Sequence, residues 1–417
     1  MEMFRELLSL EEARKIIRRN YKPIPAGAEE LPLLEAHNHI LAEDVTATLN
    51  IPPFNRSTVD GYALKAENTF GAEENNPIKL RICGNVNVGE APKAKVDQGT
   101  ATEIVTGAPT PEGADAVIMV EDTERRDSDV YVYSPVAKDE NVMKAGEDMR
   151  KGEVVLRKGQ MLSSREVGIL AALGFAKAKV CTVPQVAVLS TGAEIAEPGE
   201  NLSSGKIYDI NAYSLSAAVV ESGGRPVYLG VCPDDAKVLK EALRHALTSA
   251  DIIITSGGVS VGPKDFMPKT LASLGKPGLI ICGIAVKPGK PTTVALVKGK
   301  LIFALPGHPT SALLLFHLLA RPLILALAGR ECEEPPTIRA LAGMRMFPAK
   351  GRRTFIMVRV KQNKANRFIA EPVSTGQSGA ITTLAKADGF VEIDERQQFI
   401  DVGQEVTVQL LTRTGTS

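Results

Sequence analysis

Residues 251–265, with the sequence DIIITSGGVSVGPKD, combine residue types that could hold a phosphate or another oxyanion. The β-branched run Ile252–Ile254 predicts a buried strand, and the residues after it are Ser256, Gly257 and Gly258, with Asp265 further on. A glycine loop between a strand and a helix start offers unpaired N–H groups and the positive end of the helix dipole to an anion. The Gly-Lys-Ser/Thr of a Walker A loop does not occur here. A tight turn that needs glycine only for its backbone is the alternative.

Two other loops follow predicted strands in the same direction. In a parallel sheet the carboxyl ends of the strands lie at one edge, where ligands bind. We therefore expect the three loops to lie together and to bind a phosphate or another oxyanion. Their candidate binding residues are Ser190, Thr191 and Gly192 in the first loop, Ser256, Gly257 and Gly258 in the second, and Pro306, Gly307, Pro309 and Ser311 in the third.

Charged residues surround these loops. Lys287 and Lys290 lie in the proline-stiffened segment KPGKP, which suits the binding of an oxyanion at little ordering cost. Glu194, Asp234 and Asp265 lie on the strand-to-helix connections. Carboxylates repel a phosphate unless a divalent cation lies between them, and Mg²⁺ binds through one or two carboxylates plus substrate phosphates. Helix capping is the alternative for each acid, above all for Asp235 and Asp209.

A second group of polar residues lies far from these loops in the sequence. The segment PPFNRSTVDGYA predicts a rigid loop that presents Asp60, and Thr106 lies in another polar loop after a short strand. Both occur in a stretch rich in glycine, proline and short β-type runs. Assembly with another subunit would explain why a β module carries such loops.

The elements that must position these residues fall into several domains, as expected for 417 residues. Alternating strands and helices over residues 184–330 predict a doubly wound, largely parallel α/β domain. Residues 46–144 predict an inserted β-rich module, and residues 331–417 a small C-terminal β domain that resembles a barrel. Residues 1–45 and 145–183 would form a small N-terminal linker domain, with capping boxes at Ser9 and Ser163.

Composition bounds the function. Lysine plus arginine equals aspartate plus glutamate, at 49 each, so no overall field attracts nucleic acid or an anionic membrane. The longest apolar stretch, 313–328, is interrupted by Arg321 and Pro322, so no membrane span is expected. Five scattered cysteines favour free thiols in a reducing cytoplasm. The histidines lack zinc-site spacing, and the serines lack a nucleophile elbow.

The motifs together resemble one family. The segments PPFNRSTVDGYA, TGAPTPEGADAVIMVED, AGEDMRKGEVVL, LSTGAEI, IYDINAYSL, SGGVSVGPKDF, KPGKPT and LPGHPTSA occur in the order typical of the molybdopterin molybdenumtransferase family, which includes the gephyrin E domain. The resemblance implies a transferase that inserts molybdate into adenylylated molybdopterin in a Mg²⁺-dependent step and releases AMP. It also implies a homodimer whose active site is shared between subunits, with contacts to other cofactor-biosynthesis proteins. Tungstate has the same charge as molybdate and stays an alternative.

The resemblance also assigns roles to individual residues. It implies catalytic roles for Asp60, Thr106, Glu194, Asp265, Lys287 and Lys290, a metal site of Asp60, Glu194, Asp234 and Asp265, and cofactor contacts from Arg353 (or Arg352) and Ser378. Two positions depart from the family pattern: Gly283 replaces a basic residue and His308 replaces an asparagine. A cofactor-binding scaffold without catalysis is the main alternative function, and an adenylyltransferase, which resembles the α/β domain alone, is a third.

Overall fold

The structure is a computed structural model that describes residues 7–259, 266–330, 336–373 and 381–411. It forms two compact units. One consists of residues 30–179, and the other of the N-terminal helix together with the chain from residue 180 onwards. The first unit contains the predicted inserted module and most of the predicted linker domain.

Residues 30–179 form a β-rich unit, as the short β-type runs predict. Six strands make a mixed sheet in the order β7-β4-β6-β5-β9-β8, in which only the β5–β6 pair is parallel among the described strands. Ser163 caps helix α2 through the predicted capping box with Glu166. The strands up to residue 181 are β1 (Ala28–Pro32), β2 (Val45–Thr46), β3 (Arg56–Ser57), β4 (Gly61–Leu64), β5 (Ile78–Val86), β6 (Thr100–Ile104), β7 (Ala116–Met119), β8 (Thr123–Arg126), β9 (Asp129–Val132), β10 (Val142–Met143), β11 (Val154–Leu156) and β12 (Lys177–Cys181), and α2 spans Ser164–Ala172.

The other unit begins with helix α1 (Leu10–Asn20) and continues into an α/β domain. Its strands are β13 (Gln185–Thr191), β14 (Ile195–Ala196), β15 (Ile207–Tyr208), β16 (Arg225–Cys232), β17 (Ile252–Ser256), β18 (Pro277–Cys282), β19 (Val286–Lys287), β20 (Thr293–Val297) and β21 (Lys300–Leu305). Its helices are α3 (Asn211–Glu221), α4 (Ala236–Ser249), α5 (Met267–Ala272), α6 (Pro309–Leu315) and α7 (Arg321–Leu327). The predicted capping box at Ser9 and Glu12 is present in α1.

The six-stranded sheet of this domain is largely parallel and covered on both faces, as predicted. Its order is β16-β13-β17-β21-β20-β18, and β20 alone runs opposite to the other described strands. Alternate residues of β13 point to opposite faces: Val186 and Val188 pack with α3 and α6, whereas Ala187 and Leu189 pack with α4 and α5. Burial on both faces explains the unbroken apolar character of β13, β17 and β21.

The last helix of the α/β domain corrects one expectation. Arg321 and Pro322 do not interrupt it, because α6 continues through a π-helical turn (Phe316–Ala320) into α7. Pro322 cannot donate a backbone hydrogen bond. The helix continues past it because a π-helical turn precedes it and because it lies in the first turn of α7. Within the described residues this helix, Pro309–Leu327, is long and apolar enough to cross a membrane by length and composition, with a mean hydropathy of 1.8, but 72% of that window is buried inside the fold.

His317 in the π turn is expected to make the fold sensitive to mild acid. Burial among apolar side chains, with the charge of Arg321, lowers the pKa of His317 to about 4. Between pH 6.5 and 4 the unfolded chain binds a proton that the folded chain does not, so the free energy of unfolding falls in that window. The effect should reach at most about 2 kcal/mol at pH 5.

Urea unfolding at pH 7.5 and pH 5 measures this effect. We expect His317→Leu to lose less stability over this interval than the wild type does. His245→Leu, at an exposed position on α4, is the matched control and should behave as the wild type does. Equal pH dependence in the two variants would contradict the assignment.

The C-terminal region closes into a five-stranded barrel, which confirms the barrel-like prediction. Pairs β23–β24, β24–β22, β22–β26, β26–β25 and β25–β23 complete the ring, and β19 joins β23 from outside. Val358 and Val408 are fully buried inside it. Its strands are β22 (Thr337–Ala342), β23 (Arg353–Gln362), β24 (Phe368–Pro372), β25 (Gly389–Ile393) and β26 (Glu405–Leu410), with helix α8 at Ile381–Lys386.

Candidate functional site

Three loops meet at one edge of the α/β sheet, as the strand topology predicts. The parallel register pairs Ser190 with Ser256 and Ser256 with Leu305, so β13, β17 and β21 end side by side. A cavity of about 1750 Å³ opens there. The predicted binding or metal residues that line it are Ser190, Thr191, Gly192, Glu194, Asp234, Ser256, Gly257, Gly258, Pro306, Gly307 and Pro309. Ser311 lies buried in the first turn of α6 and is not among the lining residues.

Glycines allow two of these loops to approach each other closely. Gly257 has a φ of +92°, and a Cβ atom there would lie 2.3 Å from the carbonyl oxygen of Thr191. Gly258 has a φ of +66°, and its Cβ would lie 2.9 Å from the Thr191 hydroxyl. Both glycines are therefore needed for the backbone conformation of the turn, as the alternative interpretation of this loop predicted. Both also line the cavity.

Asn211, which the sequence did not single out, holds two of the loops together. Its side-chain amide nitrogen donates to Ser256 Oγ at 2.6 Å and to the Gly307 carbonyl at 2.7 Å. It lies at the start of α3, in the segment IYDINAYSL, and it lines the cavity together with Tyr208 and Asp209. The presence of this segment among the family motifs was the available signal.

Asp234 fixes the loop that carries Glu194. Its carboxylate accepts a hydrogen bond from the Ala193 N–H at 3.3 Å, and the Lys206 ammonium donates to the Ala193 carbonyl at 2.7 Å. The neighbouring Asp235 is the N-cap of α4, as the capping alternative predicted. Hydrogen bonds from the Val238 and Lys237 N–H groups lower the pKa of Asp235.

The acids of the cavity could supply part of a Mg²⁺ site. Glu194 and Asp234 both line the cavity, and Mg²⁺ needs one or two carboxylates when substrate phosphates complete its shell. Among the described residues no group of three acids, histidines or cysteines forms a metal cluster. Asp265, the third predicted ligand of this domain, lies outside the described residues. The donor set that is described fits a substrate-completed site and does not form a closed protein site.

The KPGKP loop borders the cavity without lining it at the lysines. Pro291, next to Lys290, is a lining residue. The loop is fixed by its own backbone: Thr292 donates to the Gly289 carbonyl through its N–H and its hydroxyl, and Ile284 N–H donates to the Lys290 carbonyl. Lys287 is exposed and Lys290 is partly buried. Both lysines thus belong to a loop with a fixed backbone that reaches the cavity at Pro291.

Arg353 is occupied by a cluster of carboxylates. It lies in β23, and its guanidinium contacts Glu11 of α1, Glu392 at 3.1 Å, Asp394 at 3.1 Å and Glu395 at 3.2 Å. Only 15% of its side chain is exposed, and it is not a lining residue of the cavity. The contact with Glu11 joins α1 to the barrel through Arg353. The other three acids come from β25 and the loop after it. Arg352 stays open as the alternative cofactor contact, and Ser378 lies outside the described residues.

Asp60 and Thr106 form a pair in the unit of residues 30–179. Asp60 Oδ1 accepts from the Thr106 N–H at 2.7 Å and from the Thr106 hydroxyl at 2.9 Å. These two hydrogen bonds lower the pKa of Asp60, which is exposed. Backbone hydrogen bonds between Ser57 and the turn at Gly107 and Ala108 join the two predicted loops. The pair presents an ionised carboxylate to solvent in a fixed orientation.

Comparisons with known proteins cover almost the whole chain. Residues 8–174 match the "MoeA N-terminal region (domain I and II)", residues 187–326 the "Probable molybdopterin binding domain" and residues 339–411 the "MoeA C-terminal region (domain IV)". The molybdopterin molybdenumtransferase of Haemophilus influenzae is 33% identical over 405 residues, which are 97% of this chain and 98% of the relative. That of Bacillus subtilis is 32% identical over 391 residues, 92% of this chain and 90% of the relative.

Solved structures agree with the sequence relatives. Two crystal structures of the molybdopterin biosynthesis MoeA protein from Pyrococcus horikoshii match with TM-scores of 0.87 and 0.80, at 40% and 34% identity. The matches cover 98% and 97% of this chain and the full length of both solved chains. With the barrel, the mixed β unit and the α/β cavity all present, the chain belongs to the MoeA family, in which the relatives from Haemophilus influenzae and Bacillus subtilis are named molybdopterin molybdenumtransferases.

Proposed function

We propose that this chain is a molybdopterin molybdenumtransferase, which inserts molybdate or tungstate into adenylylated molybdopterin and releases AMP. The observation that carries the proposal is the cavity of about 1750 Å³ at the meeting point of three loops. Drug-sized ligands occupy pockets of roughly 300–1,000 Å³, so this one has room for a pterin joined to a nucleotide. The curated relatives match nearly end to end, which supports a transferase over an adenylyltransferase that resembles the α/β domain alone.

Different groups would bind the two anions of the reaction, the oxyanion and the phosphates. The lysines of the fixed KPGKP loop would hold the tetrahedral oxyanion, since ammonium groups form charge-assisted hydrogen bonds with its oxygens. The N–H groups of Gly192 and Gly257 already donate to the carbonyls of Cys232 and Leu305. The phosphates would therefore be held by backbone N–H groups at Gly258 and at the start of α6. Fixed charges placed where negative charge develops would supply most of the catalysis, without a protein nucleophile.

Mg²⁺ would neutralise phosphate charge beside the acids of the cavity. Glu194 and Asp234 would hold it there, with Asp265 as the third ligand from the sequence motif. Without a cation these carboxylates would repel the phosphates of the substrate.

We also propose that the active unit is a homodimer whose Asp60–Thr106 pair serves the cavity of the partner subunit. The observation that supports this proposal is an exposed carboxylate that two hydrogen bonds from Thr106 hold in one orientation. A mixture of Asp60→Ala and Glu194→Ala chains, co-expressed, should recover up to a quarter of wild-type activity, because one heterodimer site is intact. Recovery absent from the mixture, or a concentration-independent mass of 44.5 kDa by light scattering, would contradict the shared site.

Release of AMP tests the transferase activity. Purified chain is supplied with adenylylated molybdopterin, Mg²⁺ and either molybdate or tungstate. We expect oxyanion-dependent AMP release that is lost in Asp265→Ala and without Mg²⁺. A wild-type rate no higher than that of Asp265→Ala with either oxyanion would overturn the proposal and favour a cofactor-binding scaffold.

A further inference from the structure

Three residues that line the cavity carry buried polar atoms that have no hydrogen-bond partner among the described residues. They are Ser190 Oγ, Asp209 Oδ2 and Asn211 Oδ1. All three residues line the cavity, and their exposed fractions are 2%, 4% and 8%. Buried polar groups in folded proteins are almost always satisfied, so each unsatisfied group needs an explanation, such as a functional role or a bound ion or water. These atoms therefore indicate a ligand group that the protein does not itself provide.

The two oxygens are fixed as hydrogen-bond acceptors. The Asn211 amide nitrogen already donates to Ser256 Oγ and to the Gly307 carbonyl, so the amide orientation leaves its oxygen unused. Asp209 uses Oδ1 to accept from the Ala212 N–H at 3.0 Å, which caps α3 and leaves Oδ2 unused. Both residues that carry an unused acceptor line the cavity.

This acceptor pair cannot hold a phosphate, because an anionic carboxylate repels it and neither oxygen can donate. It complements a flat ring whose edge presents two adjacent N–H donors. The aminopyrimidinone edge of a pterin has this pattern in its ring N–H and exocyclic amino group. The Watson–Crick edge of adenine places a single amino donor beside an acceptor nitrogen. The hydroxyl of Ser190 can donate to the ring carbonyl of the pterin edge.

We propose that Asp209 and Asn211 bind the N–H edge of the pterin ring and thereby orient the substrate. The ring would bind against Asp209 and Asn211, and the phosphates would bind at the glycine loops and the nearby cation site. Shielding from bulk water strengthens hydrogen bonds to the carboxylate. The inference rests on the proposed function, since it takes the ligand to be a molybdopterin, and it assigns the pterin end of the cavity.

Binding measurements on a matched pair of variants test this orientation. Asp209→Asn keeps an oxygen for the cap of α3 but can replace the unused acceptor with a donor. Asp235→Asn makes the same change at the cap of α4, where Oδ1 accepts from the Lys237 and Val238 N–H groups. Asparagine caps helices about as well as aspartate does, so both variants should fold, which melting temperatures would verify. Molybdopterin and AMP are titrated separately and anaerobically, with intrinsic or ligand fluorescence or equilibrium dialysis as readout.

We expect Asp209→Asn to weaken molybdopterin binding at least tenfold and to change AMP binding less than twofold. Asp235→Asn should leave both affinities within twofold of wild type. Unchanged molybdopterin affinity in Asp209→Asn, or an equal or larger loss for AMP, would overturn the orientation. If the wild-type chain binds molybdopterin in this pattern but inserts no molybdenum, the transferase proposal is overturned and the proposed orientation of the pterin stands. A wild-type chain that binds neither compound would overturn both.

Discussion

Gly257→Ala is expected to lower transferase activity by about 100-fold or more, because it displaces the wall of the cavity. The new Cβ would lie 2.3 Å from the backbone oxygen of Thr191, which is a contact that real Cβ atoms essentially never show. A backbone atom cannot rotate away as a side chain can, so the ends of β13 and β17 must separate. The φ of +92° adds left-handed strain of about 1 kcal/mol, and the total loss of unfolding free energy should be about 3 kcal/mol.

Gly299→Ala is the control that separates strain from displacement. Gly299 lies in the turn between β20 and β21, with a φ of +76° and nothing within 4 Å of its Cβ position. Alanine there should cost only the left-handed strain, about 1 kcal/mol, and should leave activity unchanged. Urea unfolding and AMP release are measured for both variants. Activities within threefold of each other would show that the close approach of the two loops does not matter for function.

Lys290→Ala should lower the rate of oxyanion insertion by about 100- to 1,000-fold, because it removes the positive charge that we propose holds the reacting oxyanion. Lys290 lies on a loop held by its own backbone hydrogen bonds, so alanine should not change the fold. We expect the KM for molybdate to rise and the affinity for AMP to stay constant. Arginine at this position keeps the charge and should recover part of the activity.

Lys237→Ala, on the exposed surface of α4, controls for the general loss of one charge and should retain full activity. Steady-state AMP release at varied molybdate concentration distinguishes the variants. Retention of more than half of the wild-type kcat/KM in Lys290→Ala would contradict its proposed role. An equal fall for Lys237→Ala would point to a nonspecific effect of net charge.

The sequence was sufficient to predict the sheet edge where the cavity lies. Strand and helix periodicity identifies β13, β17 and β21, and parallel strands place their following loops together. The sequence also contains the signal that β20 runs opposite to its neighbours. Only three residues separate the apolar run that ends at Val297 from the one that starts at Leu301, and three residues are too few for a crossover helix. Local patterns therefore carried most of the architecture of the α/β domain.

Other features depend on contacts that no local pattern contains. Asp209 and Asn211 resemble ordinary helix-start residues in the sequence, and the second role of Asn211 requires Ser256 and Gly307, which lie 45 and 96 residues away. The family resemblance implies a cofactor contact from Arg353 (or Arg352), yet four acids from α1 and from residues 392–395 contact Arg353 in the fold. A charged side chain reveals its sign in the sequence, but its partners only appear once distant segments pack.

Simultaneous measurement of AMP released and molybdenum inserted tests the central claim most directly. Wild-type chain is incubated with adenylylated molybdopterin, Mg²⁺ and molybdate, and AMP is quantified beside the molybdenum that co-elutes with the pterin. The proposed function predicts one molybdenum inserted for each AMP released, and neither product without molybdate. AMP released without any molybdenum in the pterin fraction, or no AMP released, would contradict it.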